Sequence, residues 1–282
     1  MAALQDIKRR MRSVAGTRQI TRAMQLVAAS KLRRAQEAAL APVAYNHAAR
    51  ELLGHLSTSA GVLNHPLYER RPVKRALTVV IAADRGLAGA YNGNVLRALT
   101  AHVTALGVPH QAISVGRQAA LHTMRTHNVS EAAVYTMDNE QADTGLAQPI
   151  LTEVTQLFER HEVDMVHVIY THFVSTVKSE VKVVQLLPVT PVVSNVQASE
   201  LEPSPEVLID VATRTLLEAQ LLQAVLEARA SEQAARMLAM LNATDNAGEL
   251  IKSLNLAYNN ARQAAITQEL AEITAGAEAT NG

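Results

Sequence analysis

Apolar positions recur three and four residues apart at both ends of this chain, and they change to short continuous runs in its middle. Leu4, Ile7, Met11 and Val14, then Thr21, Ala28, Leu32 and Ala35, trace one helical stripe, with Arg18 and Gln25 breaking its apolar run. The stripe predicts a helix to about Ser59, kinked but not ended at Pro42, because helix formers resume at YNHAARELLGHL. From Val73 to Ser194 the runs ALTVVIAA (76–83), QAISVG (111–116), AAVYTM (132–137) and VDMVHVIYTHF (163–173) read as strands. Helical stretches near 93–106, 117–127 and 145–161 separate them, which predicts a mostly parallel sheet covered on both faces. YTHFVSTVKSEVKVVQLLPV adds two strands joined by a turn, an expected antiparallel edge.

NVQASELEPSPEV reads as a loop, and Ser204 with Pro205 marks a helix start. No proline follows, and Gly248 is the only glycine before Gly276. One helix over Glu206 to Ala275 would be roughly 105 Å long. A compact chain of 282 residues is only about 50 Å across. Leu250, Ile251, Leu254, Tyr258, Ala261 and Ala265 keep the spacing of a coiled-coil seam in its last third. So long a helix needs a partner stripe to bury, and the N-terminal helix, packed antiparallel, is the one available. The expected organisation is an N-terminal shaft helix (1–60), a central α/β domain (73–194) and a C-terminal shaft helix (205–276). The fold class is therefore α/β: a long antiparallel two-helix coiled-coil shaft with a central Rossmann-like domain.

Composition narrows this further. Hydrophobic residues make up 48% of the chain and aromatics only 3%, with no Trp and no Cys. Alanine-rich helices pack closely, and the lack of cysteine excludes disulfides, thiolate nucleophiles and Cys-ligated metal. MAALQDIKRRMRSVAG has no apolar core of signal-peptide length, and no run of about 18 apolar residues occurs, so a soluble or peripheral protein is expected. Net charge is zero, yet residues 1–40 carry nine Lys/Arg against Asp6 and Glu37, while residues 206–282 carry ten Asp/Glu against five Lys/Arg. The two ends either pair or meet oppositely charged partners.

Candidate chemistry is thin. AADRGLAGAYNGN follows a strand and opens a helix, but Gly86, Gly89 and Gly93 match neither the dinucleotide fingerprint nor the P-loop, so a tight strand-to-helix turn is expected. In HEVDMVH the histidines 161 and 167 are six apart, not the four that a zinc helix needs. The basic stretch IKRRMRSVAGTRQITR…SKLRR can be a solvated helix face, a surface for acidic protein loops or a nucleic-acid contact. In ARQAAITQELAEI, Arg262 and Gln263 interrupt a small-residue stripe; they are either exposed polar positions or directional hydrogen-bond donors at a changing interface. A coiled-coil-dimerised α/β enzyme and a helical scaffold or nucleic-acid adaptor are the rival classes.

ITQELAEITAGAEA resembles the C-terminal signature of the γ subunit of bacterial F-type ATP synthases, and IKRRMRSVAGTRQITRAMQLVAASKLRRAQ resembles that family's opening helix. DRGLAGAYN and SEQAARMLAMLNATDNAGELI match it in type and order. The resemblance implies a central-stalk rotor without a catalytic site or cofactor of its own. It would sit within a ring of three α and three β subunits, with the ε subunit and the membrane c ring at its foot. Its implied place is the cytoplasmic face of the bacterial membrane, touching the membrane only through the c ring. Met24, Arg262, Gln263, Thr267, Glu269 and Glu272 would contact β subunits. Arg9, Arg10, Arg12, Lys31, Arg33 and Arg34 suit acidic β loops, and Leu201 and Glu202 are candidates for the c-ring contact. Ala275, Gly276, Ala277 and Ala279 would give the shaft a slim end.

Overall fold

The computed structural model of the protein describes residues 2–56, 65–137, 145–191 and 205–281. Helix α1 spans Ala2–Leu56 and runs through Pro42 without ending. Strand β1 (Ala76–Ile81) leads to α2 (Tyr91–Leu106), β2 (His110–Val115), α3 (Arg117–Thr123) and β3 (Val129–Tyr135). Helix α4 (Ala147–Glu159), strands β4 (Met165–Phe173) and β5 (Ser179–Leu187) and helix α5 (Pro205–Asn281) follow, and a 3-10 turn at Pro66–Tyr68 precedes β1. The expected antiparallel edge is β4 with β5. The candidate c-ring residues Leu201 and Glu202 lie outside the described residues.

The chain forms two compact units, Met1–Val27 with Met237–Gly282 and Ala28–Arg236. In the larger unit the sheet order is β3-β2-β1-β4-β5. Strand β1 pairs in parallel with β2 and β4, and β2 with β3, so the order reverses between β1 and β4. All six residues of β1 are buried, as a strand covered on both faces must be. Val80 packs with Val95, Leu99 and Val103 of α2 and Ala119 of α3. Leu77, Val79 and Ile81 join Val166, Val168 and Phe158 in the larger core, to which α5 adds Leu217, Leu221 and Val225. Each such side chain contributes about 1.5–3 kcal/mol through the water it leaves. The two long helices run antiparallel in this unit too: Ala49 and Leu53 pack on Ala212 and Leu216.

The smaller unit is a pure helix pair. Its inner seam on α5 steps Met240, Thr244, Ala247, Ile251, Leu254, Tyr258, Ala261 and Ala265, an unbroken four–three alternation of buried and half-buried positions. Thr21 faces Thr244 through a 2.8 Å hydroxyl–hydroxyl hydrogen bond. The expected seam is corrected at one position: Leu250 is 42% exposed, and Ala247 fills the inward place. Residues 250 and 251 stand about 100° apart around a helix, so only one of them can face the partner.

Arg18, the polar break in the α1 stripe, lies over Gly248; a Cβ built there would meet its guanidinium at 3.5–3.7 Å. That is ordinary contact, so Gly248→Ala should gain helix propensity without a clash. The expected result is stabilisation of the helix pair by up to about 1 kcal/mol, read as slower amide exchange around 244–252.

Candidate functional site

In a doubly wound sheet, ligands bind outside the carboxyl ends of the strands, where the strand order reverses. Here that place is filled from within the chain. Asp84, just after β1, accepts from the backbone N–H of Arg117 at 3.0 Å and of Met137 at 2.7 Å, so one carboxylate ties together the turns after β1, β2 and β3. Asn92 accepts the Ala83 N–H at 3.0 Å. DRGLAGAYN is thus a set of clamped turns, as its glycine spacing suggested.

Helix α5 crosses these turns. Arg229 donates to the Met137 carbonyl at 2.9 Å and Arg236 to that of Gly86 at 3.4 Å. Between them Glu232, 3% exposed, receives Arg229 at 3.2 Å and Arg236 at 2.7 Å. Ser231 donates to the Thr171 carbonyl at the end of β4. Burial, and then the Glu232 charge, push the Tyr91 phenol far above its ordinary pKa, so it stays neutral. A buried ion needs a partner and satisfied hydrogen bonds: Glu232 bridges both guanidiniums, and each of these also donates to a backbone carbonyl at the crossing. The arrangement is a joint between a helix and a sheet. Sequence reasoning missed it; the only signal was charge spaced i, i+3 and i+7 inside an alanine run (Arg229, Glu232, Arg236).

On the opposite side of β1, His102 of α2, His110 of β2 and His167 of β4 meet, with ring centroids 5.9 Å (His102–His110) and 4.5 Å (His102–His167) apart. Thr78 reaches the Nε2 of His110 at 2.9 Å. Desolvation by burial, then repulsion from the neighbouring rings, lowers His110 and His167 to about 4, and burial lowers His102. Among the described residues no group of three or more such side chains is arranged to hold a metal. Because the folded rings bind protons less readily than the unfolded ones, the unfolded state gains protons as pH falls below about 6.5. Stability is therefore full above that pH and is lost progressively towards pH 4. Melting at pH 5 is expected roughly 5 °C below melting at pH 7.5, and His102→Leu, which removes one ring and its repulsion on the other two, should narrow that difference only in part.

The residues expected at a β-subunit interface all lie in the smaller unit. Met24 is half-buried beside the seam, whereas Arg262, Gln263, Thr267, Glu269 and Glu272 are exposed. Thr267 donates to the Gln263 carbonyl at 2.9 Å, and Gln268 to Glu272 at 3.0 Å. Arg262 and Gln263 do not interrupt the seam, which passes through Ala261 and Ala265. They flank a second stripe that sequence reasoning passed over: Ile266, Leu270 and Ile273 are 48%, 60% and 68% exposed. Their i, i+4, i+7 spacing was the available signal. Side chains beyond Thr274, including those of Ala275 to Ala279, lie outside the description.

Among the basic candidates, Arg9 pairs with Asp6 at 2.6 Å and Arg33 with Glu37 at 3.1 Å. Arg10, Arg12 and Arg34 are exposed, and Lys31 is half-buried. Arg9, Arg10 and Arg12 belong to the smaller unit and Lys31, Arg33 and Arg34 to the larger. No helix among the described residues is long and apolar enough to cross a membrane.

In the larger unit, then, the two long helices run antiparallel and α5 is fastened across the strand ends of a doubly wound sheet. A family model described as ATP synthase matches residues 3–280. The chain is 40% identical over 291 residues to an ATP synthase gamma chain of Heliobacterium modesticaldum, covering 99% of each. It is 41% identical over 288 residues to that of Acidithiobacillus ferrooxidans, covering 99% of this chain and 100% of the relative. Its fold matches a chain of the Euglena gracilis mitochondrial ATP synthase, in an assembly of OSCP, F1 and c-ring, with a TM-score of 0.69 at 18% identity, over 99% of this chain and 95% of that one. The chain belongs to the ATP synthase gamma-chain family.

Proposed function

We propose that this chain is the central-stalk rotor of a proton-translocating ATP synthase, a non-catalytic subunit that carries rotation of the c ring to the catalytic β subunits, or the reverse during hydrolysis. Its full-length identity to gamma chains from several bacteria supports the role. The observation that carries the reading at residue level is the exposed stripe of Ile266, Leu270 and Ile273, bordered by Arg262 and Gln263. Apolar side chains this exposed, in line along one helix, need a cover. A ring of three α and three β subunits, with one copy of this chain inside it, supplies one.

A single axle cannot make three equal contacts, so it biases three like subunits differently at any moment. Contacts that are remade at each step suit the directional bonds of Arg262, Gln263, Thr267, Glu269 and Glu272, with Met24 on the α1 side. The proposed setting is the cytoplasmic face of the bacterial membrane, with ε and the c ring at the foot and Leu201 and Glu202 towards the c ring. Co-expression of this chain with the matching α and β subunits tests the reading. One copy per three β subunits, and sustained ATPase activity that depends on it, are expected; α and β subunits that ignore the chain would overturn it. In that complex Arg262→Ala with Gln263→Ala should lower turnover roughly tenfold, the worth of one hydrogen bond to a charged group. An unchanged rate would remove these residues from the interface.

A further inference from the structure

Past the apolar rows where α5 lies on β4, a polar chain links three elements of the larger unit. Val166 and Val168 are in the shared core. The next residues on the same face of β4 are Tyr170 and His172. His172 Nδ1 meets the Glu227 carboxylate of α5. The other oxygen of Glu227 accepts from Gln223 Nε2 at 2.8 Å, one helical turn earlier. Gln223 Oε1 in turn accepts from Asn46 Nδ2 of α1 at 2.6 Å, and the same amide group reaches the Ala219 carbonyl at 3.3 Å. Asn46 and Glu227 are each 8% exposed. Burial, and then the adjacent Glu227 carboxylate, push the Tyr170 phenol up to about 12, so it remains protonated beside that carboxylate.

We propose that Glu227 is a torque-bearing positioning residue: through His172 on one side and Gln223 and Asn46 on the other, it locks both long helices to the sheet against twisting. The inference rests on the rotor reading. Apolar rows resist separation but are non-directional, and they give little resistance to one helix turning about its axis. Hydrogen bonds of fixed direction do resist such a turn, and a buried carboxylate shared by two partners resists it more than isolated contacts would. The Glu227–Gln223–Asn46 chain joins helix to helix, and the Glu227–His172 bond joins helix to sheet. With Glu227 gone, the bond to the sheet is lost, and Gln223, still bonded to Asn46, loses the carboxylate that fixes its orientation.

The test uses the whole ATP synthase in proteoliposomes, with the parent chain, Glu227→Leu, and Glu227→Leu combined with His172→Leu. The double variant leaves neither of that pair as a buried orphan, so it separates lost folding stability from the lost clamp. Expected for both variants are normal subunit ratios and unloaded ATP hydrolysis close to the parent rate. ATP synthesis against a high ATP/ADP ratio should fall roughly tenfold, the factor one charge-assisted hydrogen bond is worth when it matters only under load. Rotation of a viscous load by single molecules should slow in parallel. Synthesis and loaded rotation that match the parent overturn the clamp. So does a joint fall of hydrolysis and synthesis with loss of the chain from the complex, or a double variant that recovers loaded function. If the parent chain itself neither assembles nor supports synthesis, it is the rotor reading that fails.

Discussion

Gly116→Ala should leave the larger unit unfolded or nearly so under conditions where the parent chain melts cooperatively. Gly116 ends β2 and caps α3 with φ +95° and ψ 143°, a region in which an L side chain is strained. A Cβ there would stand 2.0 Å from the Ala82 carbonyl oxygen and 2.8 Å from its carbon. Both atoms are backbone of the chain leaving β1, so no side chain can swing aside. The backbone must move instead, and it is held in place: Gly116 donates to the Tyr135 carbonyl at 2.7 Å, and Ala82 donates to the Val115 carbonyl at 2.9 Å. Strain and displacement together should cost more than about 4 kcal/mol, in the rare class of severe single substitutions. Against a whole-domain stability of about 5–15 kcal/mol, that is decisive. Gly86→Ala is the control, because nothing lies within 4 Å of its Cβ. Two variants with equal melting temperatures would show that the close approach does not matter.

Glu232→Ala should cost about 3–5 kcal/mol, the usual result of removing one member of a buried ion group. The loss comes less from the missing attraction than from what stays behind. Arg229 and Arg236 would face one another across a cavity with 11% and 12% of their side chains exposed. Glu232→Gln keeps an acceptor but no charge, so it should fall between the parent and the alanine variant. Because the triad is shielded from solvent, added salt should recover little. Hydrogen exchange gives the readout: amides of 84–92 and the start of α2 should exchange faster, while those of β2 and β3 change less. Uniform exchange in parent and variant would mean that α5 is held here by its apolar contacts alone.

Much of the architecture was legible because it rests on local rules. The switch from three–four spacing to continuous apolar runs marked where helix gives way to strand; the run of β1 is buried on both faces, whereas β3 and most of β5 keep exposed positions that their apolar residues did not foretell. The antiparallel pairing of the long helices followed from the fact that neither could stand alone. The seam was read one residue wide of its place at Leu250, since spacing by itself does not separate neighbours 100° apart when both are apolar. Arg18 looked like a defect in the stripe; opposite it is a glycine, and that pairing of large with small exists only across the two helices.

The candidate site divides along the same line. Arg262, Gln263 and the residues after them could be named because a helix surface is written in local order, and the stripe of Ile266, Leu270 and Ile273 could have been read the same way. By itself the sequence determined the helix pair, the doubly wound sheet and, through four blocks of resemblance, the family. Only the tertiary structure decided that α5 fills the crevice at the strand ends. It also decided that the Arg229–Glu232–Arg236 run lies buried against the turns of Met137 and Gly86, that three histidines from separate elements meet, and that Gly116 has no room for a methyl group. Those facts depend on residues tens to hundreds of positions apart meeting within a few ångströms, and periodicity along a chain carries no record of distance across it.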